Sequence, residues 1–82
     1  MLHVVSLELL SDYKVLLGFD NAEKRVFDYE PHIGSGVFAK LKNPVYFARA
    51  SIERGTVAWD GDLDFAPEYL YEKGELVKEA AV

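Results

Sequence analysis

Cysteine is absent from this chain of 82 residues, which excludes disulfides, thiolate metal sites and a cysteine nucleophile together. Lys and Arg are few, nine against 14 Asp and Glu for a net charge of −5. Direct nucleic-acid binding is therefore not expected, since it rests on clustered cations that displace phosphate counterions. No apolar run approaches the roughly 20 residues needed to span a bilayer, and the opening Met1, Leu2, His3 has neither the basic start nor the apolar stretch of a secretory leader. A cytoplasmic protein with no membrane association is the expectation these absences leave.

What is present suffices for one small core. Half the residues are hydrophobic and 13% are aromatic, enough apolar surface to offset the entropy of ordering the backbone. A chain this short buries only roughly 60 to 65% of its unfolded surface, so a second core is excluded. The charge is uneven. Residues 1–59 balance seven acids with seven bases, whereas residues 60–82 set seven acids against Lys73 and Lys78 alone. An acidic end on a neutral body suits a basic protein partner.

Val5, Leu7 and Leu9 alternate with Ser6 and Glu8, the period of a half-buried strand, with His3 on the apolar phase. After the turn-forming Ser11 and Asp12, Tyr13, Val15, Leu17 and Phe19 make the clearest strand. A break at 20–23 leads into a third, Lys24 to Tyr29, with Arg25, Phe27 and Tyr29 on one side. Short connections predict an antiparallel meander. Pro31 to Gly36 is the one breaker-rich stretch. Beyond it the spacing of Val37, Phe38, Leu41 and Phe47 predicts helical turns laid on the sheet. Ala48 to Ile52 and Thr56 to Trp59, around Glu53, Arg54 and Gly55, predict a second hairpin. Asp60 to Asp64 reads as an acidic loop and Pro67 to Lys73 as a short helix ended by Gly74. The fold expected is α+β: a small antiparallel sheet from a three-stranded meander plus a second hairpin, with short helices packed on it. It forms one domain over residues 1–72, followed by a tail or frayed helix over 73–82.

The order of these signals is itself distinctive: Leu16 to Asp20, Arg25 to Asp28, Phe38, Leu41, Phe47, then Val57, Ala58 and Trp59 ahead of Asp64, Pro67, Leu70 and Tyr71. From about Val5 to Tyr71 the chain resembles an uncharacterised bacterial family, domain of unknown function 2442. The resemblance implies a compact sheet domain without an established enzymatic activity, sometimes followed by a helix-turn-helix segment. It also implies a setting beside small proteins of domain of unknown function 4160, in pairs reminiscent of toxin and antitoxin. Asp60 departs from the pattern, because proline commonly follows the tryptophan there, and Asp62 adds a charge to the loop.

The polar residues give chemistry little to work with. Asp60, Asp62 and Asp64 have the alternating spacing that opens a calcium loop, but Phe65 stands where that loop needs glycine and Tyr71 where it needs glutamate. The simpler expectation is that Asp64 caps the following helix while Asp60 and Asp62 stay solvated. His3 and His32 lack the partners of a relay or metal triad. Ser35 between Gly34 and Gly36 has the wrong spacing for a nucleophile elbow, and two glycines make no dinucleotide fingerprint. Trp59 and Leu70 are expected in the core, with one of the Tyr69 and Tyr71 rings lying partly at the surface. Glu68, Glu72, Glu75 and Glu79 have the spacing of one helical face. Neither catalysis nor a cofactor or metal is expected. The residues expected to meet a partner are Asp60, Asp62, Asp64, Glu68 and Glu72. The partner is a small protein, such as one of the 4160 type, or a second copy. The function expected is a protein-interaction module, the antitoxin-like member of a two-protein pair. The alternative is a ligand-sensing or regulatory domain akin to those that precede DNA-binding segments.

Overall fold

A computed structural model describes residues 2–34, 36–61 and 63–77, apart from the side chain of Val37. Strands β1 (Val4–Leu9), β2 (Lys14–Phe19) and β3 (Lys24–Asp28) form the antiparallel meander. Two 3-10 segments, Glu30–His32 and Gly36–Lys42, and the helix α1 (Pro44–Phe47) then cross to a second sheet of β4 (Ser51–Glu53), β5 (Thr56–Trp59) and β6 (Leu63–Asp64). Helix α2 (Pro67–Lys73) returns the chain to the first sheet, where β7 (Glu75–Leu76) pairs with β3 and completes the order β1-β2-β3-β7. The architecture is α+β and mostly sheet. No described helix is long and apolar enough to cross a membrane.

The strands follow the expected alternation where the ladder is regular. Val15, Leu17 and Phe19 of β2 and Phe27 and Tyr29 beside it are buried, as the period of two requires. β1 departs from it. Val4 pairs with Phe19 and Ser6 with Gly18, so Val5 is the extra residue of a β-bulge. The bulge buries Val4 and leaves Val5 60% exposed, the reverse of what alternation from Val5 predicts. Tyr13 is not the first residue of β2 but part of a turn, with Asp12 and Tyr13 at φ 58° and 64°. Ala48 to Ala50 likewise lie ahead of β4, because Ala48 closes α1 through its backbone N–H.

The turns explain the register. Arg54 and Gly55, at φ 55° and 76°, form the two-residue turn of mirror type whose twist matches the strands on either side. Between β2 and β3 the Ala22 N–H donates to the Phe19 carbonyl at 3.0 Å, and Ala22 then takes φ 72°. That position normally favours glycine, since a Cβ crowds the following carbonyl at positive φ. Ala22→Gly is expected to raise stability by about 0.5–1 kcal/mol, the αL relief less the entropy of glycine. A thermal melt followed by circular dichroism checks this; an unchanged or lower midpoint contradicts it.

Both sheets close on one aromatic core. The Tyr29 ring lies 4.7 Å from Phe27, 4.8 Å from Phe65, 5.3 Å from Trp59 and 5.6 Å from Phe47, all edge-on, the geometry aromatic quadrupoles prefer. Its hydroxyl finds no hydrogen-bond partner among the described residues, and burial pushes its pKa up. Trp59 and Leu70 are in the core, Tyr71 is half-buried and Tyr69 is exposed, as expected. α2 is held by polar contacts at its edge. Arg25 donates to the Gly74 carbonyl at 3.2 Å, lies over the Tyr71 ring at 3.9 Å and pairs with Glu23 at 2.9 Å. The Tyr71 hydroxyl donates to Glu23 at 2.8 Å and, with Arg25, holds that carboxyl below the usual glutamate range.

The C-terminal expectations change accordingly. Asp64 is a strand residue paired with Ala58, and Ala66 occupies the cap of α2 without a side-chain hydrogen bond. The helix stops at Lys73, so Glu75 leaves the stripe with Glu68 and Glu72 and enters β7. Within the expected tail, residues 75–76 are therefore strand, not helix. Residues 78–82, with Glu79, lie outside the described residues, as do Ser35 and Asp62.

Candidate functional site

The second sheet builds a polar concavity. Antiparallel register sets Ser51 opposite Ala58 and Ala58 opposite Asp64, one outward row across three strands, while Trp59 and Leu63 pair on the inner side. Glu53 lies two residues beyond Ser51 and so shares the outward phase. Ala58 is small, so the row dips at its centre. A groove of about 220 Å³ results, lined by Glu53, Arg54, Ala58, Asp60 and Asp64 among others.

Local contacts fix its rim. Gly61 takes φ 89° to reverse the chain after Asp60, a conformation that glycine adopts without strain. The Tyr46 hydroxyl donates to the Asp60 carbonyl and ties this turn to α1. On the far side, the Thr56 hydroxyl donates to the Phe65 carbonyl. The Asp60 carboxylate pairs with Arg49 at 3.1 Å, both side chains largely exposed. Such a pair contributes little and weakens with salt, so a competing cation displaces it at small cost.

Of the residues expected at a partner surface, the fold brings Asp60 and Asp64 together and adds Glu53. Glu68 and Glu72 are exposed on α2 and do not line the groove; Asp62 lies outside the described residues. Glu53 and Arg54 were not legible as site residues from composition. The signal for Glu53 was the two-residue turn, which dictates its pairing with Thr56 and hence its outward phase.

Ionised carboxylates only accept hydrogen bonds, so the groove suits a cationic donor such as an arginine or lysine head. Among the described residues no three His, Asp or Glu side chains converge as a metal site would. The histidines lie in other contacts. His3 pairs with Asp20 at 3.2 Å, where the His3 backbone and then its imidazole lower the Asp20 pKa. His32 stacks on Phe27 with centroids 5.5 Å apart.

No curated protein and no solved structure matches the chain. A family model does, over residues 4–75, a span that takes in both sheets, the groove and α2. On that match the chain belongs to the family described as protein of unknown function (DUF2442).

Proposed function

We propose that this protein is a non-enzymatic interaction module whose acidic groove on the β4-β5-β6 sheet receives a basic segment of a second protein. The observation that carries this reading is the row Ser51, Ala58, Asp64, which leaves a dip between the carboxylates of Glu53, Asp60 and Asp64. Opposite charge in a shallow groove speeds encounter and fixes register more than it adds affinity. The family resemblance suggests the class of partner, a small protein of domain of unknown function 4160 in the cytoplasm, with this chain as its neutralising member. The experiment is affinity capture from lysate with the wild-type chain and with a Glu53→Gln, Asp64→Asn double variant. One small basic protein is expected, retained at low salt, released at high salt and lost with the double variant. Capture indifferent to both salt and the double variant would remove the groove from the interaction.

A second reading, a ligand-sensing or regulatory domain, draws on an apolar cleft of about 330 Å³ beside α1. A volume of that order is the lower limit of small-molecule sites.

A further inference from the structure

Of the groove carboxylates Glu53, Asp60 and Asp64, Asp60 alone is in an ion pair among the described residues, with Arg49 at 3.1 Å. Glu53 and Asp64 are exposed and carry no such partner. Arg49 presents a guanidinium, the kind of head the groove suits, yet it is not a lining residue: it reaches Asp60 from just beyond the end of α1. Both members of the pair are tied to one residue. The Tyr46 carbonyl accepts the Arg49 N–H at 3.0 Å, and the Tyr46 hydroxyl donates to the Asp60 carbonyl. These bonds hold the two backbones, so the entropy lost in forming the pair falls mainly on the two side chains. Arg54 also lines the groove, but among the described residues it is in no ion pair, so its charge is not seated on a carboxylate.

We infer that Arg49 is an internal competitor for the groove, occupying Asp60 until a basic segment displaces it. The inference rests on the groove reading and adds the regulation of that site. A basic segment that takes all the groove carboxylates must unseat Arg49, whereas one that stays on Glu53 and Asp64 need not. Because the two side chains of the pair are 64% and 72% exposed, the pair withholds only a small factor in affinity. Arg49 thus sets how the groove answers to charge beyond the first cationic head: weakly at Asp60 while the pair is intact, and as at any open carboxylate once it is broken.

Binding of a fluorescently labelled hexa-arginine peptide to the full chain, followed by anisotropy at physiological ionic strength, tests this. At that salt, exposed charges more than roughly 8 Å away are largely screened. Arg49→Ala is expected to tighten binding about two- to fivefold, the range an exposed pair can withhold, and to melt like the wild type, since the side chain is exposed. In an Asp60→Asn background the gain should vanish, because no carboxylate remains there for Arg49 to occupy. This cycle separates competition for Asp60 from the mere loss of a positive charge, which would tighten binding in both backgrounds. An Arg49→Ala chain that binds no tighter than the wild type, or a gain equal in both backgrounds, overturns the inference and leaves the groove reading standing. Peptide binding untouched by Glu53→Gln, Asp64→Asn overturns the groove reading and this inference with it.

Discussion

Trp59→Ala is expected to lower the free energy of unfolding by about 3–5 kcal/mol. The indole is 2% exposed and lies at the junction of the two sheets, edge-on to Tyr29 and tilted against Phe47 at 5.8 Å. Truncation removes that burial and opens a hole that the three surrounding rings, Tyr29, Phe47 and Phe65, cannot collapse to fill. It also deletes the Nε1–H bond to the Phe47 carbonyl at 3.0 Å, which then keeps only the Ala50 N–H at 3.2 Å. For a domain of this size each kcal/mol moves the midpoint by roughly 4–8 °C, so a fall of about 15–30 °C is expected. That is a large share of the stability of a small domain. Far-UV circular dichroism is the suitable probe, because the substitution removes the only tryptophan. Trp59→Phe separates the two contributions: it keeps most of the ring burial and loses the hydrogen bond, and its cost should be nearer 1–2 kcal/mol. A loss below about 1 kcal/mol for the alanine variant would contradict the central place given to this ring.

Why Trp59 was legible from the sequence, and Glu53 was not, has a physical explanation. Period-two patterns on β2 and β3 come from residues whose ladders are regular, so Val15, Leu17, Phe19 and Phe27 could be assigned to the core from spacing alone. The same rule misassigned Val5 at the start of β1, because a bulge adds one residue and reverses the phase ahead of it, while Leu7 beyond the bulge packs against the core as its spacing predicts. Spacing carries no mark of a bulge. Tyr13 was missed as a turn residue for a related reason: it holds positive φ without being glycine, asparagine or aspartate, so tertiary contacts set a conformation that propensity disfavours. The groove depended on register. Asp60 and Asp64 attracted notice as an acidic run, but their meeting with Glu53 follows from pairing across β4, β5 and β6. Asp64 could not cap α2 once it was committed to β6, two residues short of the cap at Ala66. Glu75 was drawn from the helical stripe by β3, whose open edge offered backbone partners that two more residues of helix would have left unused.

That last exchange hinges on Gly74, and Gly74→Ala is expected to cost about 1–3 kcal/mol, with a midpoint lowered by roughly 5–20 °C. Glycine at a helix end commonly serves by taking a positive φ, but Gly74 has φ −74° and ψ 149°, which any residue adopts. Space is what demands it. A Cβ here would stand 2.6 Å from the Leu70 carbonyl oxygen and 3.1 Å from the Arg25 Cβ. The first neighbour is backbone and cannot turn aside, and it also accepts the Gly74 N–H at 2.9 Å. Relief therefore means moving the last turn of α2 away from β3, which stretches the Arg25 bond to the Gly74 carbonyl and detaches β7. Hydrogen exchange gives a local test beside the melt: the Val77 amide, which donates to the Lys24 carbonyl at 2.9 Å, should lose more protection than amides in β2. Gly34→Ala is the control, because nothing lies within 4 Å of its Cβ position. If Gly74→Ala melts like the control, β7 and α2 are joined loosely enough to absorb a methyl group, and steric demand at position 74 is not what turns the chain from helix to strand.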